Sequence, residues 1–251
     1  MKGKTVKMLL LVFSGVMILL SGCAVDNQHI AKLPLFEAKS DRVPGLDSPH
    51  ERKKLIREKG TKGATAPESD REILVAQLVY EYQTSPDPNM RRTAVDALAK
   101  IPHPKRDRFL RDILQDPNPF VRLSALEALG NTYGGEPEDL ARLLIDRTKT
   151  DSDQDVRAVA VRILGDVCPK DTTDPLHRIV VLELGNLLND RVPAVQYKAM
   201  QSLHKATGKD YGNDINRWLQ YIRYVKGEVP NLPTERTFTE KLPTIALPMF
   251  K

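Results

Sequence analysis

Three short stretches of this sequence hold residue types from which a site could be made. "DSDQDVRAVAVR" sets Asp151, Asp153 and Asp155 at alternate positions, the opening of a calcium-binding loop. Such a loop needs Gly in its middle and a closing Glu, but Val156 and Arg162 stand there. The acids read instead as helix N-terminal residues, favoured by the partial positive charge of that end. "LHKATGKDYG" offers Gly208-Lys209 as the end of a phosphate loop, yet Leu203 replaces the required first glycine. His29, His50, His103, His177 and His204 are scattered, and none pairs with Cys or Glu at metal-ligand spacing. Cys168, in "ILGDVCPK" at the end of an apolar helical pattern, reads as a buried thiol, the alternative being a reactive one. The expectation is a non-enzymatic chain with no metal site and no cofactor.

Cys23 stands in a setting with different chemistry. The chain opens "MKGKTVKMLLLVFSGVMILLSGCAV", with Lys2, Lys4 and Lys7 ahead of an uncharged apolar run from Met8 to Leu20. That run falls short of the roughly 20 residues a bilayer crossing needs, so residues 1–22 read as a signal peptide. Leu20-Ser21-Gly22-Cys23 resembles the lipobox of bacterial lipoproteins. The resemblance implies cleavage before Cys23 and its acylation, an anchor contributing about 0.8 kcal/mol per buried CH₂. An ordinary secreted protein with an incidental cysteine is the alternative. Ala24 stands where an Asp would, in enterobacterial lipoproteins, favour inner-membrane retention; the expectation is a chain facing the periplasm, on the outer membrane rather than the inner.

Removing residues 1–22 takes away three lysines and no acid, so the formal net charge falls from +5 to +2. Nucleic acid is disfavoured as a partner, because phosphate recognition needs a concentrated cationic surface. Residues 23–68 are polar, aperiodic and broken by Pro34, Pro44, Gly45 and Pro49, which predicts a disordered N-terminal tether. Within it "ERKKLIREKGTK" gathers Arg52, Lys53, Lys54, Arg57, Lys59 and Lys62. A solvated charged linker is one reading; contact with anionic headgroups or cell-wall polymers is the other.

From Ser69 to Gly227 the apolar residues take up helical period and the sequence repeats itself. With Arg91, Arg122, Arg157 and Gln196 as anchors, the spacings are 31, 35 and 39 residues, the lengths of helical hairpins. Three residues on stand Ala94, Ala125, Ala160 and Ala199; four on, Val95, Leu126, Val161 and Met200; seven on, Leu98, Leu129, Leu164 and Leu203. Offsets of three, four and seven trace one helical face. Pro88, Pro119 and Pro193 precede the anchors by three, and Asp87, Asn118 and Asp153 by four, a cap followed by proline at the first helical position. Another apolar periodic segment runs ahead of each such helix: "DREILVAQLVYEYQ", "KRDRFLRDILQD", "PEDLARLLIDRTK" and "DPLHRIVVLELGNLL". A hairpin of this size cannot cover its own apolar face, so the repeats are expected to stack in a right-handed curved array. "NDINRWLQYIRYVKG" supplies a capping helix; Trp218, Tyr221 and Tyr224 on it are candidates for partner docking or for core. Residues 228–251, with Pro230, Pro233, Pro243 and Pro248, are expected to be an extended tail, folded back along the solenoid or captured by a partner.

The chain is similar to the HEAT-repeat family through the acid and arginine six apart, Asp116 with Arg122 and Asp151 with Arg157, and through the Ala and Leu columns. The resemblance implies an all-α, α-α superhelix over residues 69–227, with that Asp and Arg locking successive turns into a ladder. Ser85 before Arg91 and Asp190 before Gln196 depart from the pattern and leave the outer locks open. With the anchor, the expected function is a scaffold presenting a concave surface to an unidentified envelope protein. HEAT-like bilin lyases and DNA glycosylases supply an enzymatic alternative, and a cell-wall-binding structural lipoprotein a third.

Overall fold

A computed structural model describes residues 48–235. The expected lipidation site Cys23, the signal peptide, most of the tether and the last sixteen residues lie outside the described residues. Among these the structure has ten α-helices, a 3-10 turn at Leu187–Asn189 and no strand. The helices are α1 Pro49–Thr65, α2 Glu68–Thr84, α3 Pro88–Leu98, α4 Arg106–Ile113, α5 Pro119–Thr132, α6 Pro137–Thr150, α7 Gln154–Val167, α8 Pro175–Asn186, α9 Pro193–Thr207 and α10 Ile215–Lys226. None is long and apolar enough to cross a membrane.

Each start signal acts locally. Asp87 accepts from Asn89 N–H, Asn118 from Phe120 N–H, and Asp153 from both Asp155 and Val156 N–H, which satisfies donors that a helix start leaves orphaned. Proline follows the cap in α3, α5, α6, α8 and α9, where its missing N–H has no intrahelical partner to lose. Gly208 (φ 70°) and Gly227 (φ 80°) end α9 and α10 in the left-handed conformation that side chains resist.

The helices form a two-layer stack of hairpins. Helices α1, α3, α5, α7 and α9 pack on one another in that order, while α2, α4, α6 and α8 each pair with the helix that follows. All twelve side chains of the three apolar columns, from Ala94 to Leu203, are buried. The alanine level lets the backbones approach and the leucine level interdigitates, so neighbouring hairpins share one continuous core.

One boundary differs from the sequence reading. Residues 49–65, assigned there to the tether, are helix α1, which packs on α3 and α2. Charge masked its role, because only Ile56, Gly60 and Gly63 are buried. The glycines permit the contact: a Cβ on Gly60 would stand 2.7 Å from Ala97 Cα. Taking Arg52 as anchor, Pro49 falls three residues before it, as Pro88, Pro119 and Pro193 do before theirs, and Gly60 eight after, as Gly130 and Gly165 do in α5 and α7. Helix α1 is thus the second helix of a further, degenerate unit. Its Arg52 and Lys59 both reach Glu81 on α2, so these cations are bound within the fold and do not belong to a solvated linker.

Candidate functional site

The arginines of the anchor column build a ladder whose rungs run between units. Arg91 Nε and Nη2 donate to Asp116 at 2.8 and 2.9 Å, and Arg122 Nε and Nη2 donate to Asp151 at 2.9 and 2.7 Å. Arg157 Nη2 reaches Asp190 at 3.4 Å. The residue six before each arginine gives its backbone carbonyl instead: Ser85 O to Arg91, Asp116 O to Arg122, Asp151 O to Arg157. Gln196 repeats this with Asp190 O at 2.7 Å. Each aspartate also turns the chain into the next helix by accepting the N–H two residues on, Asn118, Asp153 and Val192 in turn.

Asp116, Arg122, Asp151 and Arg157 are therefore ladder residues, but each arginine pairs with the aspartate of the following unit, not with the one six residues before it. Asp190 and Arg91, which the sequence left unlocked, are the receiving and giving ends. An acid in every unit but the first, and an arginine in every unit but the last, was the legible signal. Arg52 with Glu81 adds a more exposed rung, Nη2 to Oε2 at 2.8 Å. Burial pushes the Asp116 carboxyl up, but hydrogen bonds from Arg91, Asn118 N–H and the Tyr82 hydroxyl outweigh it and hold it below its ordinary range. Tyr82, half-buried against that carboxylate, is pushed up to about 12 by the loss of solvent and by the neighbouring negative charge.

The calcium-like acids are occupied in the same way: Asp151 holds Arg122 and Asp153 caps α7. Among the described residues no group of three or more His, Cys, Asp or Glu is placed to hold a metal ion. Cys168 is buried, with Sγ 3.7 Å from His177 Nδ1, and burial pushes its thiol up to about 11. His177 Nδ1 lies 2.8 Å from Pro169 O and so is committed to donating there. This is the reverse of an activated thiolate pair.

Of the aromatic docking candidates, Trp218 is 0% exposed and Tyr221 is buried, which corrects that reading for both. With Tyr211 they form an edge-to-face cluster, Trp218 and Tyr211 centroids 4.9 Å apart, and Trp218 Nε1 donates to Gly212 O. Burying three rings under the last hairpin closes its core. Tyr224 stays partly exposed.

The surface with the character of a binding site lies on the second helices and carries a residue the sequence reading passed over. A groove of about 470 Å³ crosses α3, α5 and α7, lined by Arg92, Asp96, Ala99, Phe120, Leu123, Ser124, Glu127, Ala128, Asn131 and Val159. Phe120, in the first turn of α5, is 62% exposed. The charges around it are matched: Arg92 with Asp96, Glu127 with Arg162, Arg162 with Asp166 and Asp166 with Lys205. The rim is thus self-neutralised and the centre apolar. Phe120 occupies the place of Asn89, Asp155 and Ala194 in the other units, and a large aromatic in a column of small or polar residues was the available signal.

The family model described as HEAT repeats matches residues 75–145, from within α2 to within α6. No curated protein matches the chain. Two crystal structures of engineered proteins from the Northeast Structural Genomics Consortium are similar to it. One is 20% identical over 74% of this chain and 82% of that one, with a TM-score of 0.43. The other is 21% identical over 61% of this chain and 43% of its own length, with a TM-score of 0.39.

Proposed function

We propose that this chain is a lipid-anchored scaffold of the bacterial cell envelope, held to a membrane through Cys23 and binding another protein across the groove at Phe120. The observation that carries the docking half is a large aromatic left 62% exposed among charges that already satisfy one another. Matched rim charges offer little net attraction to an ionic ligand, whereas an apolar centre with a polar rim is the anatomy of a protein interface. Covering the exposed part of a Phe side chain, roughly 120 Å², contributes about 3 kcal/mol. The anchoring half rests on the lipobox-like residues before Cys23.

The two halves are tested separately. A photoactivatable phenylalanine analogue in place of Phe120, irradiated in intact cells, is expected to give one discrete adduct; the same group in place of Ile179, on the first-helix layer, is expected to give none. Equal labelling at both positions, or none at either, contradicts the groove. Mass spectrometry of the N-terminal peptide from purified membranes is expected to find an acylated Cys23, and an unmodified or uncleaved terminus contradicts the anchor.

A further inference from the structure

The residues of the groove at Phe120 are spaced so that the surface complements a copy of itself. Those contributed by α5 include Phe120, Ser124, Glu127, Ala128 and Asn131, which lie within one arc of about 100° on the helix. Ser124 is the midpoint: Phe120 stands four residues before it and Ala128 four after, about 6 Å to either side at 1.5 Å per residue. A half-turn about an axis that lies in the surface, passes Ser124 and runs perpendicular to α5 brings a second copy face to face with the first, its α5 antiparallel. Each Phe120 is carried to the level of Ala128 in the other copy, where Ala128 and Ala99, the smallest side chains of the lining, leave room for a ring. The 62% of Phe120 that its own chain leaves exposed finds its cover there.

The charges permit the same pairing. On α3, Arg92 and Asp96 are centred on Ala94, one residue from Thr93, which matches Ser124 in the repeat. Within one chain they hold each other loosely, at 3.9 Å with about half of each side chain exposed. The half-turn sets Arg92 of each copy within about 3 Å, along the helix axis, of Asp96 of the other, so two loose pairs become a ring of alternating sign. Arg92, Asp96, Glu127 and Arg162 sum to zero, so the face does not repel its own image. The fourteen residues of α5 span about 21 Å, and three helices 8–10 Å apart span about 25–30 Å. That is roughly 500–600 Å² a side, at the low end of specific interfaces, which suits a reversible dimer.

We propose that the chain forms a two-fold dimer through this face, α5 antiparallel to α5 of its partner about an axis at Ser124, with the Phe120 of each protomer seated in the groove of the other. The dimer takes as its premise that the groove docks a protein, and names that protein as a second copy. Such an interface needs no second patch, because the same surface serves on both sides.

A residue on a two-fold axis meets its own copy, and the test uses that property. The full chain carrying Ser124→Cys, oxidised in the cells that make it, is expected to give a disulfide-linked species of twice the chain mass, with both halves of the bridge mapped to position 124. Asn131→Cys, exposed in the same groove but about 10 Å farther along α5, stands roughly 20 Å from its copy and is expected to give at least about tenfold less. Adding Phe120→Asp to Ser124→Cys is expected to cut the linked species about tenfold or more, since it removes the ring from each groove and leaves a charge there. Fluorescence of Trp218, the one tryptophan, verifies that each variant is folded. No bridge at position 124, equal yields at 124 and 131, or a yield untouched by Phe120→Asp each overturns the dimer. The photoactivatable group at Phe120 separates this inference from its premise: an adduct of twice the chain mass supports both, an adduct with a different protein overturns the dimer alone, and no adduct overturns both.

Discussion

Replacing Arg122 with Met isolates what a buried rung contributes. The side chains of Arg122 and Asp151 are 10% and 2% exposed. Arg122 makes two charge-assisted hydrogen bonds to Asp151 and donates to Asp116 O and Pro117 O at 2.9 and 3.3 Å. Methionine keeps much of the apolar stem, so the loss is electrostatic: Asp151 is left buried with Asp153 N–H among its remaining partners. Removing one member of such a pair costs about 3–5 kcal/mol. Arg52→Met, at a rung where Arg52 is 43% exposed, is expected to cost under about 1 kcal/mol. The assay is urea unfolding of the full chain, followed by far-ultraviolet circular dichroism and by Trp218 fluorescence, because a repeat array need not unfold as one unit. Arg122→Met combined with Asp151→Leu is expected to recover most of the loss, since neither charge is then stranded. Equal costs at Arg122 and Arg52, or a double variant as damaged as the two single changes added together, refute the reasoning.

Four further outcomes follow from the geometry. Leu129→Ala and Leu164→Ala, both at fully buried sites, are each expected to cost about 2–5 kcal/mol in urea unfolding, and a small fraction of that for both would contradict the repeat register. Gly60→Ala drives a Cβ to within 2.8 Å of Ala97 O, backbone that cannot swing aside, so α1 should exchange its amides faster while α7 does not, despite alanine's helix propensity gain of about 1 kcal/mol. Asp116, held below its ordinary 3.8, contributes stability above that value and loses it as pH falls through the lower folded value; acid titration of stability should show this loss, and Arg91→Met should flatten it. Cys168, with its thiol pushed up to about 11, should resist alkylation at neutral pH in the folded chain and react once unfolded, so rapid labelling of the native protein would contradict its burial.

The helices, their starts and the buried columns were legible because each is a local statement: a cap four residues before the anchor, an offset of three, four or seven along one face. Helix α1 was missed for a physical reason. Among the described residues α1 has one second helix against it, α3, where α3, α5 and α7 each have two, and Lys59 stands where Leu98, Leu129 and Leu164 stand elsewhere, while Leu55 is exposed where the alanines are buried. The apolar test fails there although Pro49, Arg52 and Gly60 keep the spacing. Trp218 and Tyr221 show the opposite ambiguity, since a helical aromatic stripe looks the same whether it docks a partner or closes a core; Tyr211, supplied by the preceding loop, decided for core.

Sequence alone determined that this chain makes capped helices in repeating pairs with one apolar face each, because capping and periodicity act within a few residues. Only the tertiary structure decided which aspartate each arginine holds, that Asp190 and Arg91 complete the ladder, and that Phe120 is left standing in a groove. Those facts depend on the register between helices 25 to 33 residues apart, and that register is set by how side chains fill the space between stacked units.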